Sequence, residues 1–122
     1  MELVEEKLTE KIIGACMDVS TELGGGFLES VYQKALYLAL AEKGLRTESQ
    51  VPLEVTFRGE VVGEFQPDIL VERKVIVEIK AVRSLAPEHE AQLINYLKAT
   101  GVKVGLLVNF GRTRLDWRRF VY

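Results

Sequence analysis

Three charged residues, Asp68, Glu78 and Lys80, sit beside two short apolar runs, Ile69-Leu70-Val71 and Val75-Ile76-Val77. Such runs read as strands of a buried sheet, joined here by the charged turn Glu72-Arg73-Lys74. Residues two apart on a strand share a face, so Glu78 and Lys80 point the same way. A three-residue loop pairs Val71 with Val75 and, carried through, sets Asp68 opposite Glu78 on that face. A two-residue loop at Arg73-Lys74 would set Asp68 opposite Ile79 and turn it to the other face. We therefore expect the three-residue loop. Two carboxylates then lie roughly 5 Å apart at their Cβ atoms, with an ammonium beside them. At an effective dielectric of about 20, like charges about 4 Å apart repel by about 4 kcal/mol. The pair therefore requires a proton, the charge of Lys80 or a divalent cation. Hard oxygen ligands with an open side suit Mg²⁺ or Mn²⁺.

Pro67-Asp68 followed by Glu78-Ile79-Lys80 resembles the signature of the PD-(D/E)XK nuclease superfamily. Upstream, Gly26-Phe27-Leu28-Glu29-Ser30-Val31-Tyr32 matches the GxxExxY motif that names one branch of it, and the resemblance covers about Leu8 through Phe110. It implies metal-dependent phosphodiester hydrolysis of nucleic acid, with DNA favoured. Glu29, Asp68, Glu78 and the Ile79 carbonyl would hold one or two Mg²⁺ (or Mn²⁺) ions, and Lys80 would orient the attacking water or neutralise charge on the phosphorane. Gln92-x-x-x-Tyr96 resembles the QxxxY element that exonuclease-type members carry on the helix after the E-x-K strand. This implies supporting roles for Gln92 and Tyr96. Asp68, Glu78 and Lys80 form a complete set.

The elements around these residues follow from periodicity. Ile12, Ile13, Cys16, Met17, Val19 and Leu23 recur with helical spacing, which predicts a packing helix from Thr9, as N-cap, to Leu23. Gly24-Gly25-Gly26 breaks the chain, and a second helix is expected over 28–43, closed by Gly44 and mostly buried through Val31, Ala35, Leu36, Leu38 and Ala39. Glu29 falls in its first turn, where the helix dipole favours a carboxylate whatever else that residue does. Tyr32 follows on the same face as a packing or positioning residue. The alternation from Arg46 to Phe57 predicts a half-exposed strand, turned back at Arg58-Gly59-Glu60 into Val61–Phe65, so that the sheet begins as an antiparallel meander. Pro87 starts a third helix that Gly101 stops, with Leu93, Ile94 and Leu97 inward and His89, Gln92 and Tyr96 along one polar stripe. For His89 both a surface and a site position stay open. Val102 to Phe110 reads as an inner strand reached by a parallel crossover, and Leu115 to Val121 as an edge strand with Trp117 over the sheet. The expected architecture is α/β: a restriction-endonuclease-like core, with a mixed central sheet flanked by helices.

At 122 residues, 48% hydrophobic, the chain reads as one domain with a single core and without room for a separate recognition domain. No apolar run approaches the roughly 20 residues of a membrane span, and the acidic start Met1-Glu2-Leu3-Val4-Glu5-Glu6 has the wrong sign for a signal or transit peptide. One cysteine, Cys16, forms no internal disulfide and fits a reducing cytoplasm as a small core residue. The net charge of −2 sits awkwardly with phosphate binding, although Arg112, Arg114, Arg118 and Arg119 cluster near the end as a solvated edge or a phosphate-contacting patch. Lys43, Arg46, Lys98 and Lys103 form no local stripe, so a basic surface must be assembled by folding or by pairing into a homodimer. Two other classes stay open: a nucleic-acid-binding or protein-interaction module that does not cut, and a metal-binding domain for a substrate other than nucleic acid.

Overall fold

The computed structural model describes residues 4–111 and 113–122. Arg112 and the first three residues of the acidic start lie outside them.

Two helices open the chain, α1 (Glu6–Leu23) and α2 (Glu29–Glu42), followed by β1 (Thr47–Ser49), β2 (Leu53–Phe57), β3 (Glu60–Phe65), β4 (Ile69–Val71) and β5 (Val75–Lys80). Helix α3 (Pro87–Thr100) then leads to β6 (Val104–Asn109) and β7 (Asp116–Val121). Five strands make a mixed sheet in the order β1-β4-β5-β6-β7. Its one parallel pair, β5 with β6, is the pair joined through α3, as the length of that crossover requires.

Strand parity divides the apolar residues between two layers. Odd-numbered Ile69, Val71, Val75, Val77 and Ile79, with Leu106 and Val108, pack under α1 and α2. Even-numbered Leu70 and Ile76, with Leu107, pack under Leu93 and Leu97 of α3. Because both faces are covered, β5 and β6 are buried almost throughout, which is why they read as continuous apolar runs. Gly105 lets α3 approach closely, since a Cβ there would meet Leu93 at 2.9 Å. Cys16 lies in the first layer, where burial pushes its thiol up to about 12, in keeping with a packing role.

The chain departs from expectation in three places. Helix α1 begins at Glu6, so Thr9 does not cap it; its hydroxyl donates back to the Glu5 carbonyl at 2.8 Å inside the first turns. The expected long strand from Arg46 is two strands, broken where Gln50 adopts a left-handed conformation (φ 55°) and Pro52 withholds an N–H from any ladder. Consequently β1 pairs with β4, while β2 and β3 form a separate two-stranded hairpin against α3 instead of continuing a meander. Finally, α2 is less buried than expected: Tyr32, Leu36 and Leu40 face the core, whereas Val31 and Leu38 are exposed. An apolar count over-reads this helix because its residues lie all round the axis and the sheet covers a single side.

Candidate active site

The β4–β5 hairpin has the three-residue turn, Glu72 to Lys74, and pairs Val71 with Val75, Leu70 with Ile76 and Ile69 with Val77. Glu72 and Arg73 both take positive φ in that turn. It is clasped to the neighbouring edge by Glu72 N–H on the Arg46 carbonyl (2.8 Å) and by a two-pronged contact of Arg73 with Glu48 at 2.8 and 2.7 Å. One step beyond the last ladder pair, Asp68 and Glu78 face one another, and each carboxylate accepts a backbone N–H from the other's strand. The Asp68 N–H donates to Glu78 Oε1 at 3.2 Å, and the Ile79 N–H donates to Asp68 Oδ2 at 2.7 Å.

Glu78 is 8% exposed, so most of its charge would have to be stabilised without bulk water. Burial, followed by repulsion from Asp68, raises its pKa from the usual 4.5 to about 8, while Lys80 pulls the other way. Among the described residues Lys80 makes no ion pair within 4 Å of either carboxylate. Of the three ways to hold two carboxylates together, the raised pKa of Glu78 favours a proton in the protein alone. Lys80 is half-buried and shares the face of Glu78. Its backbone is fixed by Phe110 N–H on the Lys80 carbonyl (2.8 Å), next to the buried Asn109. Asn109 accepts from Val82 N–H (3.0 Å) and Gly111 N–H (2.9 Å) and donates to the Val82 carbonyl (2.9 Å), tying together the chain that leaves β5 and β6. Sequence reasoning missed Asn109. The signal that could have found it was a polar residue closing a buried apolar run, the same anomaly that singles out Glu78.

Helix α3 crosses the face that carries the charges. The Tyr96 ring stacks on Phe65 with centroids 3.8 Å apart, and burial, then the charges of Glu78 and Asp68, push its hydroxyl pKa up. Tyr96 thus borders the carboxylate pair, with exposed Gln92 one turn earlier. His89 is engaged elsewhere, since its Nδ1 accepts the Ala86 N–H at 3.1 Å and caps the start of α3.

The residues of α2 separate. Tyr32 is fully buried, stacked on Phe110 with centroids 4.7 Å apart, and its hydroxyl donates to the Gly24 carbonyl (2.7 Å) while accepting the Phe27 N–H (3.2 Å). It pins the glycine-rich segment and has no surface for a substrate. Glu29 is exposed in the first turn, and among the described residues no third His, Cys, Asp or Glu joins Asp68 and Glu78. One turn further on, Gln33 does reach the site, donating to the Asp68 carbonyl (3.2 Å) and to Ser49 Oγ (3.0 Å). Helix α2 is therefore docked against the backbone of Asp68 on the helical face that also carries Glu29. Glutamine at this position carries no signal in the sequence alone.

The donor set fits a hard divalent cation. The two carboxylates converge, and the Ile79 carbonyl leaves the strand at the edge where its N–H meets Asp68, because N–H and C=O of one residue point the same way in a strand. Mg²⁺ is commonly held by one or two carboxylates, with water and phosphate oxygens completing the shell.

A family model for the PD-(D/E)XK nuclease superfamily matches residues 6–120. Among solved structures the chain is similar to SSO0001, with a TM-score of 0.61 and 22% identity over 96% of this chain. It is also similar to an alkaline exonuclease (LHK-Exo) from Laribacter hongkongensis, with a TM-score of 0.55 and 15% identity over 99% of this chain and 72% of that one. The chain spans 59% of the length of SSO0001. No curated protein matches it significantly.

Proposed function

The chain belongs to the PD-(D/E)XK nuclease superfamily, and from that premise we propose that it hydrolyses phosphodiester bonds of nucleic acid, DNA in preference, as a single domain of the GxxExxY branch. The observation that carries this reading is the interlocked pair Asp68 and Glu78 at an open end of the sheet, with Lys80 on the same face. Asp68, Glu78 and the Ile79 carbonyl would hold Mg²⁺ or Mn²⁺. When bound, the ion supplies Lewis-acid polarisation of the phosphate and lowers the pKa of the attacking water. The backbone N–H groups of Asp68 and Ile79 orient the carboxylates, and the Lys80 ammonium is available to a developing negative charge on phosphate oxygen. Glu29 reaches the same ligands once its side chain turns toward Asp68, along the docking that Gln33 provides. Tyr96 and Gln92 line the approach of the strand. Two copies pair in this reading, and sedimentation at increasing concentration tests it.

The nuclease reading is tested by cleavage of labelled single- and double-stranded DNA and RNA in Mg²⁺, Mn²⁺ or EDTA, beside Asp68→Asn and Lys80→Met. Cutting that needs metal and vanishes in both variants supports it. Protein that binds DNA and cuts none of these substrates in either metal is a binding module on a nuclease fold, the alternative reading.

A further inference from the structure

The chain that follows Lys80 and the hairpin that precedes Asp68 differ in charge. Chain leaving β5 runs through residues 81–86 and chain leaving β6, among the described residues, through 110–111 and 113–115; Asn109 ties the two together by bonding both the N–H and the carbonyl of Val82. Beside these loops is an open depression of about 530 Å³ lined by Arg83, Ser84, Gly111 and Thr113, and a second, lined by Arg114, Asp116 and Arg118, adjoins it at Thr113. The first begins at Ala81, the residue after Lys80, at the carboxyl ends of the parallel strands, where open sheets commonly present ligands. Arg83 and Arg114 are exposed, and among the described residues neither has a carboxylate partner, whereas Arg118 is held by Glu90 at 2.6 Å. Gly111 cannot carry a side chain, since a Cβ would collide with the backbone of Val82, so the floor between the arginines stays open.

On the other side, β3 leads directly into Asp68, and its hairpin with β2 exposes Glu54, Glu60 and Glu64 against one cation, Arg58. Glu54 and Glu64 are cross-strand partners. A phosphate strand is repelled there and attracted on the opposite side.

We propose that the nucleic-acid strand leaves the catalytic centre in one direction, over the loops after β5 and β6, with Arg83 and Arg114 binding its backbone phosphates and no phosphate contact along the β2–β3 hairpin. This rests on the nuclease reading and adds a polarity to it.

The test is binding of a fluorescein-labelled DNA strand in EDTA as salt is raised, together with steady-state cleavage. The double variant Arg83→Ala/Arg114→Ala is expected to bind about tenfold more weakly, with the salt slope reduced by about 1.4 to 1.8. KM rises while kcat stays within about twofold, and Arg83→Lys/Arg114→Lys restores the slope because lysine keeps the charge. Arg58→Ala leaves the binding and slope of the wild type. Methylphosphonate linkages on one side of the scissile phosphate weaken binding and those on the other side do not. A wild type that cuts, with arginine variants that keep its KM and slope, overturns the polarity and leaves the nuclease reading intact. Arginine-dependent binding without cleavage overturns the nuclease reading and supports the phosphate track. Absence of both binding and cleavage overturns both.

Discussion

The β4–β5 hairpin and the start of α2 both carry motif residues, and they are built by different means. In the hairpin, ladder register alone sets Asp68 against Glu78, and each carboxylate then fastens the other's strand through a backbone N–H. At α2 no ladder exists. Tyr32 is drawn into the core and pins the glycine segment, while Glu29, three residues earlier, stays in solvent and Gln33 makes the contact to Asp68. Adjacent motif letters can therefore do unlike work. A strand specifies the face of each residue by parity; a helix specifies only a direction, and its docking decides what that direction meets.

The sharpest way to break this comparison is at the hairpin. Asp68→Asn and Glu78→Gln keep shape and remove charge, and each is expected to lower cleavage by more than about 100-fold, since even groups supporting metal ligands are worth about 10- to 100-fold. Equal losses in Glu29→Gln would make the two regions equivalent. We expect about tenfold there, with a raised metal requirement and an unchanged melting temperature. A cleavage titration with Mg²⁺ measures both.

Stability against pH separates the regions next. Glu78 has a higher pKa folded, about 8, than its ordinary 4.5, so the folded chain binds that proton more tightly. The corresponding stabilisation is complete below about pH 4.5 and is lost as pH rises through about 8. In EDTA the melting temperature should fall by several degrees across this window, at about 4 °C per kcal/mol for a domain of this size. Glu78→Gln should flatten the fall, and a persisting slope in that variant would assign it to another group. Mn²⁺ should flatten it in the wild type, because a cation takes over from the proton in offsetting the charge.

At α2 the corresponding change is smaller. Tyr32→Phe removes the hydroxyl that joins Gly24 to Phe27 and keeps the stack on Phe110, at a cost of about 1 kcal/mol. Hydrogen exchange should rise over residues 24–28 and not in the β4–β5 hairpin. If exchange rises in both, the two regions are coupled more tightly than their contacts indicate. The smallest effect expected is from His89→Ala, which loses the bond to Ala86 N–H and a few tenths to about 1 kcal/mol of stability. Cleavage should persist, since His89 is engaged in capping.

Much of this was legible in the residues themselves. Strand parity and a three-residue loop gave the register of β4 and β5, and hence the shared face of Asp68, Glu78 and Lys80, because a one-residue slip would have set Asp68 opposite Ile79 and on the other face. Pro87 and Gly101 marked the ends of α3, since one lacks an N–H and the other accepts positive φ (76°). Periodicity could not reveal that β2 and β3 leave the sheet, because a half-exposed strand looks the same whichever neighbour it finds. Nor could it show that α2 presents Val31 and Leu38 to solvent, that Gln33 holds Asp68, or that Arg83 and Arg114 line adjoining depressions that meet at Thr113. Residue type and spacing act over a few positions along the chain, and they determined which groups carry charge and which face of a strand they take. Long-range packing alone decided which of those groups meet, and burial then raised the pKa of Glu78.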